Sequence, residues 1–140
     1  MTKVILNRED GSVDFDREWN DYKKGFGNVG GEFWLGLDNI HQLTSTANYG
    51  LLVEIEDWSG NQFWAWYYHF SVESEAQLYR LSVSGYDVTS TAGDAFTDAQ
   101  LPNDIIDEWI LQQKILITMR TVVRTALLYG KEVGGIMLAM

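Results

Sequence analysis

The apolar positions of this chain change period along its length, and each change marks an element. In "SVDFDREWNDYKKGFGN", Phe15, Trp19 and Tyr22 fall four and then three residues apart, so a helix would carry all three on one face. Asp14 is a suitable N-cap for that helix, and Gly25 or Gly27 a suitable stop. A second short helix is expected over "LDNIHQLT", opened by Asp38 and packing Leu37, Ile40 and Leu43. The glycine-flanked aromatic segment "GGEFWLG" lies between the two. From Leu51 the period becomes two: Leu51, Val53 and Ile55 alternate with Leu52, Glu54 and Glu56, the pattern of a half-buried strand. "QFWAWYYHFSV" is rich in aromatic and β-branched residues and predicts a strand, joined to the first through Ser59–Asn61 as an antiparallel hairpin. A short helical "ESEAQLY" and a third strand, "RLSVSGY", come next. The only proline, Pro102, marks a boundary. Beyond it, "NDIIDEWILQQKILITMRTVVRTALLYG" fits one amphipathic helix, against which its β-branched cluster from Ile115 to Val123 counts.

At 140 residues and 46% hydrophobic composition, the chain has the size and apolar content of one domain with a sizeable core. Its formal net charge of -10 would repel phosphate backbones and anionic membranes, which argues against nucleic acid and favours neutral, cationic or calcium-bridged partners. The absence of cysteine removes thiol catalysis, cysteine zinc sites and disulfides, and by itself points to a reducing compartment. The opening "MTKVILNRED" has no apolar core of signal-peptide length. Lys114, Arg120, Arg124, Lys131 and Glu132 interrupt the apolar runs of the tail, so no membrane insertion is expected.

The candidate chemistry is thin. His41 and His69 fall on different elements without metal-ligand spacing, and packing or surface roles fit them better than ligation. Glu54 and Glu56 share a strand face, whereas a glycosidase sets its two carboxylates across a cleft in distinct environments. No serine sits in a nucleophile elbow, and no glycine loop is built for phosphate. No enzyme is expected, and no catalytic or metal-binding residue is assigned. The aromatic content is more informative. Trp58, Trp64, Trp66, Tyr67 and Tyr68 crowd one hairpin and, on alternate faces, cannot all enter one core. A core on one face with a packed layer on the other accounts for them, and so does an exposed patch for a carbohydrate or a protein.

The order of these motifs resembles a fibrinogen C-terminal domain, the recognition domain of ficolins, tachylectins and angiopoietins. The resemblance is carried by "REDGSVDFDREWNDYKKGFGNVGGEFWLGLDNIHQLT", then "YGLLVEIEDWSGNQFWAWYYHFSV", "EAQLYRLSVSGY" and "AGDAF", over residues 7–96. Trp66 departs from it, at a position where many relatives carry a charged or polar residue. The resemblance implies an α+β fold: a twisted, mainly antiparallel sheet with short flanking helices. It implies a secreted, lectin-like protein of innate immunity or receptor recognition, acting outside the cell on carbohydrate, microbial surfaces or cell-surface proteins. It also implies a disulfide preceding this chain, and a calcium loop, an Asn-Cys-Ala element and a Gly-Gly-Trp-Trp-Tyr-Asn-Ala-Cys stretch after "GDAF". None of these is written in the chain, so neither cofactor nor ligand-binding residues are assigned, and residues 97–140 stand as a tail outside the family domain of residues 1–96.

Codons explain that tail. Joining the last base of each codon to the first two of the next, "KEVGGIMLA" permits Gly-Gly-Trp-Trp-Tyr-Asn-Ala-Cys in order, because Gly134 and Gly135 supply the bases two tryptophans need. In the same shift "QQKILIT" permits Thr-Lys-Asp-Thr-Asp-Asn, and "RTAL" permits Asn-Cys-Ala. The chain from between Thr97 and Ile105 onward is therefore expected to be an out-of-frame reading of the rest of the domain, helical or disordered as written. The paired cysteines of the family would lie before Met1 and inside the shifted stretch, so their absence no longer bears on compartment. With family strands missing, exposed apolar edges and aggregation are expected. A fragment with a purely structural or interaction role is the alternative function.

Overall fold

The structure is a computed structural model that describes residues 2–94, residue 96 and residues 122–129. In chain order these form β1 (Thr2–Arg8), α1 (Trp19–Lys24), β2 (Phe26–Gly27), β3 (Phe33–Trp34), α2 (Leu37–Thr46), β4 (Tyr49–Glu56), β5 (Gln62–Val72), a 3-10 turn (Glu75–Gln77), β6 (Leu81–Tyr86) and β7 (Val122–Tyr129). The seven strands make one sheet in the order β2-β3-β1-β7-β4-β5-β6. Every pairing is antiparallel. The α+β class and antiparallel sheet expected from the sequence are thus observed.

The hairpin follows its sequence closely. β5 has the bounds of "QFWAWYYHFSV", and the connection is organised by Asp57, whose Oδ1 accepts the N–H groups of Ser59 and Asn61 at 2.9 Å each. Those bonds hold the Asp57 carboxyl below the usual carboxylate range, the Asn61 side-chain amide contributing most. Pairing with β4 then shifts: Leu51 faces Tyr67 but Tyr49 faces Phe70, so β5 carries one extra residue at a bulge. The bulge changes which parity points inward. Ala65 and Tyr67 before it, and Phe70 and Val72 after it, all enter the core cluster. A second bulge in β1, between Val4 and Leu6, lets adjacent Ile5 and Leu6 both be buried.

Both helices differ in extent from the sequence expectation. α1 starts only at Trp19, because the Oδ1 of Asp14 accepts the N–H of Asp16 at 2.9 Å, a local turn that competes with a helix start. Phe15 therefore lies ahead of the helix, yet stays buried, its carbonyl accepting the Tyr22 hydroxyl at 2.6 Å. Burial pushes the Tyr22 phenol up to about 12. The helix stops at Gly25 as expected (φ 94°), where a Cβ would meet the Leu35 carbonyl oxygen at 2.4 Å. α2 runs on to Thr46 and begins after Gly36, with Asp38 inside its first turn and accepting the Tyr79 hydroxyl. Leu37 and Ile40 are buried and Leu43 half-buried against the core.

The tail requires a correction. The single helix expected over residues 103–130 is not found at residues 122–129, which form β7 between β1 and β4. β-branched Val122 and Val123 suit that strand. The remainder of the expected helix lies outside the described residues.

Candidate functional site

Three arrangements stand out among the described residues. The first is a carboxylate cradle. Glu32 is 2% exposed, and its Oε1 accepts the N–H groups of Glu9, Asp10 and Gly11 at 2.7–2.8 Å while Oε2 accepts that of Val13 at 2.9 Å. Burial would raise its pKa, but the four main-chain donors outweigh it and bring the group down to about 2. All four partners are supplied by this chain, so the cradle fixes the loop after β1. The only hint in the sequence is an acid embedded in the glycine-flanked apolar segment "GGEFWLG".

The second is the segment after β6, which the sequence reading left without a role. It runs beside the first half of β5 and is stitched there by side chains as well as backbone. The Trp64 N–H donates to Thr91 Oγ1 and the Trp66 N–H to Ser90 Oγ, each at 3.0 Å. The N–H groups of Asp87, Thr91 and Ala92 donate to the carbonyls of Trp66 and Trp64 at 2.9 Å. Further on, the Tyr67 hydroxyl donates to Asp94 Oδ1 at 3.1 Å, and the Phe96 ring stands edge-on to Tyr67 at 5.2 Å. The "AGDAF" motif is thereby tied to a tyrosine that is 1% exposed.

The third is the outer face of the β4–β5 hairpin. Tyr67 lies in the core cluster, while Trp66 is buried outside it, on the opposite side of the strand. The hairpin aromatics therefore occupy both faces of the sheet. The Trp66 ring fits over Gly50, where a Cβ would meet its Cη2 at 2.3 Å. Its indole nitrogen is buried and has no hydrogen-bond partner among the described residues. Tyr68 packs edge-on against it at 5.8 Å and is 52% exposed; Trp58, in the hairpin turn, is 83% exposed.

The two histidines occupy unrelated places. His41 Nδ1 lies 2.8 Å from the Val72 carbonyl, tying α2 to β5, and His69 is exposed on β5 opposite Ser84. Glu54 and Glu56 are half-buried on β4, facing Trp64 and Gln62 across the ladder. Among the described residues no group of three or more His, Cys, Asp or Glu could hold a metal ion.

The antiparallel sheet with its short helices has the fold of a fibrinogen-like globe domain. The family model of the fibrinogen beta and gamma chains, C-terminal globular domain, matches residues 2–110, and the chain belongs to that family. The match is wider at both ends than the span of the motifs quoted above. Bovine angiopoietin-4 is 61% identical over 83 residues, 59% of this chain and 17% of that protein. Human angiopoietin-related protein 2 is 52% identical over 94 residues, 67% of this chain and 19% of that protein. Among solved structures, the fibrinogen-like globe domain of human ANGPTL2 superposes with a TM-score of 0.66 at 51% identity, covering 69% of this chain and 44% of that one. Lamprey fibrin D-dimer, complexed with the peptide Gly-His-Arg-Pro-amide, gives 0.61 at 40% identity, covering 72% and 33%. The chain thus spans under half of each solved domain and about a fifth or less of each curated relative.

Proposed function

We propose that this chain is part of an extracellular, non-enzymatic recognition domain, and that residues from between Thr97 and Ile105 onward are the rest of that domain in a shifted frame. One conjunction carries the reading: the family match, which runs to residue 110 in the frame as written and so overlaps the start of the tail, is followed by ligand-side motifs that reappear in family order in a single alternative frame. On this reading the described residues up to Phe96 are scaffold. The Ser90 and Thr91 hooks and the Tyr67–Asp94 bond hold the chain as far as Asp94, and the calcium loop would follow later in the sequence. The chain as written then lacks both the calcium loop and the ligand pocket. A protein or peptide ligand is favoured over an acetylated sugar for the in-frame domain, since the lamprey relative is complexed with a peptide.

One observation favours a second reading. β7 pairs with both β1 and β4, so the tail as written adds a strand to the sheet, which suits a structural fragment with no ligand of its own. Calorimetric titration with calcium, then with a peptide or an N-acetylated sugar in its presence, tests the proposal on this chain and on its frame-restored counterpart. We expect saturable calcium binding only in the restored chain. Calcium-dependent ligand binding by the chain as written would overturn the proposal.

A further inference from the structure

We propose that the outer face of the β4–β5 hairpin docks an arginine-bearing basic segment of a protein partner. The face is built from paired positions: Glu54 lies opposite Trp64 and Glu56 opposite Gln62, and cross-strand partners share a side of the sheet. Trp66 and Tyr68 continue it along β5, their rings edge-to-face at 5.8 Å. At its far end the Tyr68 hydroxyl donates to Asp87 Oδ2 at 3.4 Å, and Asp87 is itself pinned by the N–H and hydroxyl of Thr89 at 2.9 and 2.7 Å. Two tryptophans and a tyrosine thus stand in a row flanked by three carboxylates. On its other side β4 pairs with β7, where Glu54 is in register with Arg124.

The chemistry of the occupant follows from the composition of the face. A bare aromatic row would suit any apolar partner, but carboxylates on its flanks penalise anionic and purely hydrophobic ones by desolvation. A guanidinium satisfies both groups at once, stacking its plane on an aromatic ring while its N–H fork pairs with a carboxylate. The chain already sets arginine over aromatic rings within its own fold, with Arg8 over Phe15 at 5.0 Å and Arg17 over Phe26 at 4.8 Å. Tyr68, 52% exposed beside a fixed Trp66, is the accessible platform for such a contact from outside. The overall charge of -10 adds long-range attraction for a basic partner. Every ring and carboxylate of this surface precedes residue 97.

The test is calorimetric titration of the full chain with an Arg-Gly repeat peptide, against Lys-Gly and Glu-Gly repeats of equal length. The Arg-Gly peptide should bind more tightly than the Lys-Gly peptide, and the Glu-Gly peptide not at all. Tyr68→Ala and the pair Glu54→Gln with Glu56→Gln should each weaken arginine binding by about tenfold or more. The pair Asp14→Asn with Asp16→Asn, on the exposed loop before α1, should leave it within about twofold. No binding of the Arg-Gly peptide, equal affinity for lysine, or equal weakening by the loop variants would overturn the assignment.

Discussion

At Glu32 a carboxylate takes four main-chain N–H bonds at a place where burial alone would drive it toward neutrality. Its folded-state pKa, about 2, lies below the ordinary value of 4.5, so its stabilisation is fully present above pH 4.5 and is lost as pH falls toward 2. Removing the charge should remove most of that difference: Glu32→Gln should cost on the order of 3 kcal/mol in urea unfolding at neutral pH. The variant should also lose much of the acid sensitivity between pH 4.5 and 2; an unchanged acid profile would contradict the cradle. Gly50 makes a second residue-scale case. A methyl group there would sit 2.3 Å from the Trp66 ring, so Gly50→Ala should destabilise by about 1–3 kcal/mol. Trp66→Phe, which deletes the unpartnered indole N–H along with some ring area, should stay within about 1 kcal/mol of the parent. Neither site was legible in the sequence, since each depends on partners far along the chain.

Elements were legible where a local pattern and the tertiary environment agree. β5 and β6 combine β-branched or aromatic runs with turn residues at their ends, and both appear where their sequences predict them. α1 shows the failure mode: Phe15, Trp19 and Tyr22 keep helical spacing, but the turn at Asp14 takes Phe15 to the core by another route. The bulge in β5 was equally hidden, because nothing in "QFWAWYYHFSV" states which residue is the extra one. The segment after β6 carries no period of its own, although Ser90 and Thr91 act there as substitutes for strand partners. Ser90→Ala and Thr91→Val should each cost about 1 kcal/mol and speed amide exchange at Trp66 and Trp64 respectively. Unaltered exchange at both would show that the backbone bonds of Thr91 and Ala92 suffice.

In the whole molecule β7 joins two halves of the sheet, β2-β3-β1 on one side and β4-β5-β6 on the other. Such a strand is paired only by residues distant in sequence, and its own segment also fits a helical pattern, so its place could not be read locally. It changes the expectation of bare apolar edges, because the slot between β1 and β4 is filled and the sheet ends at the two-residue β2 and at β6. A chain ending at Phe96 should therefore unfold at clearly lower urea and less cooperatively than the full chain. Coincident curves would mean that β7 adds nothing to stability.

The central claim, that the family domain continues past residue 97 in another frame, is decided most directly by sequencing genomic DNA and transcript across the codons for Gly93 to Met140. An insertion, deletion or retained segment is expected there, whose correction restores the Thr-Lys-Asp and Gly-Gly-Trp-Trp-Tyr-Asn-Ala-Cys motifs. DNA and transcript that both read through in the frame written here, with no such lesion, would contradict it.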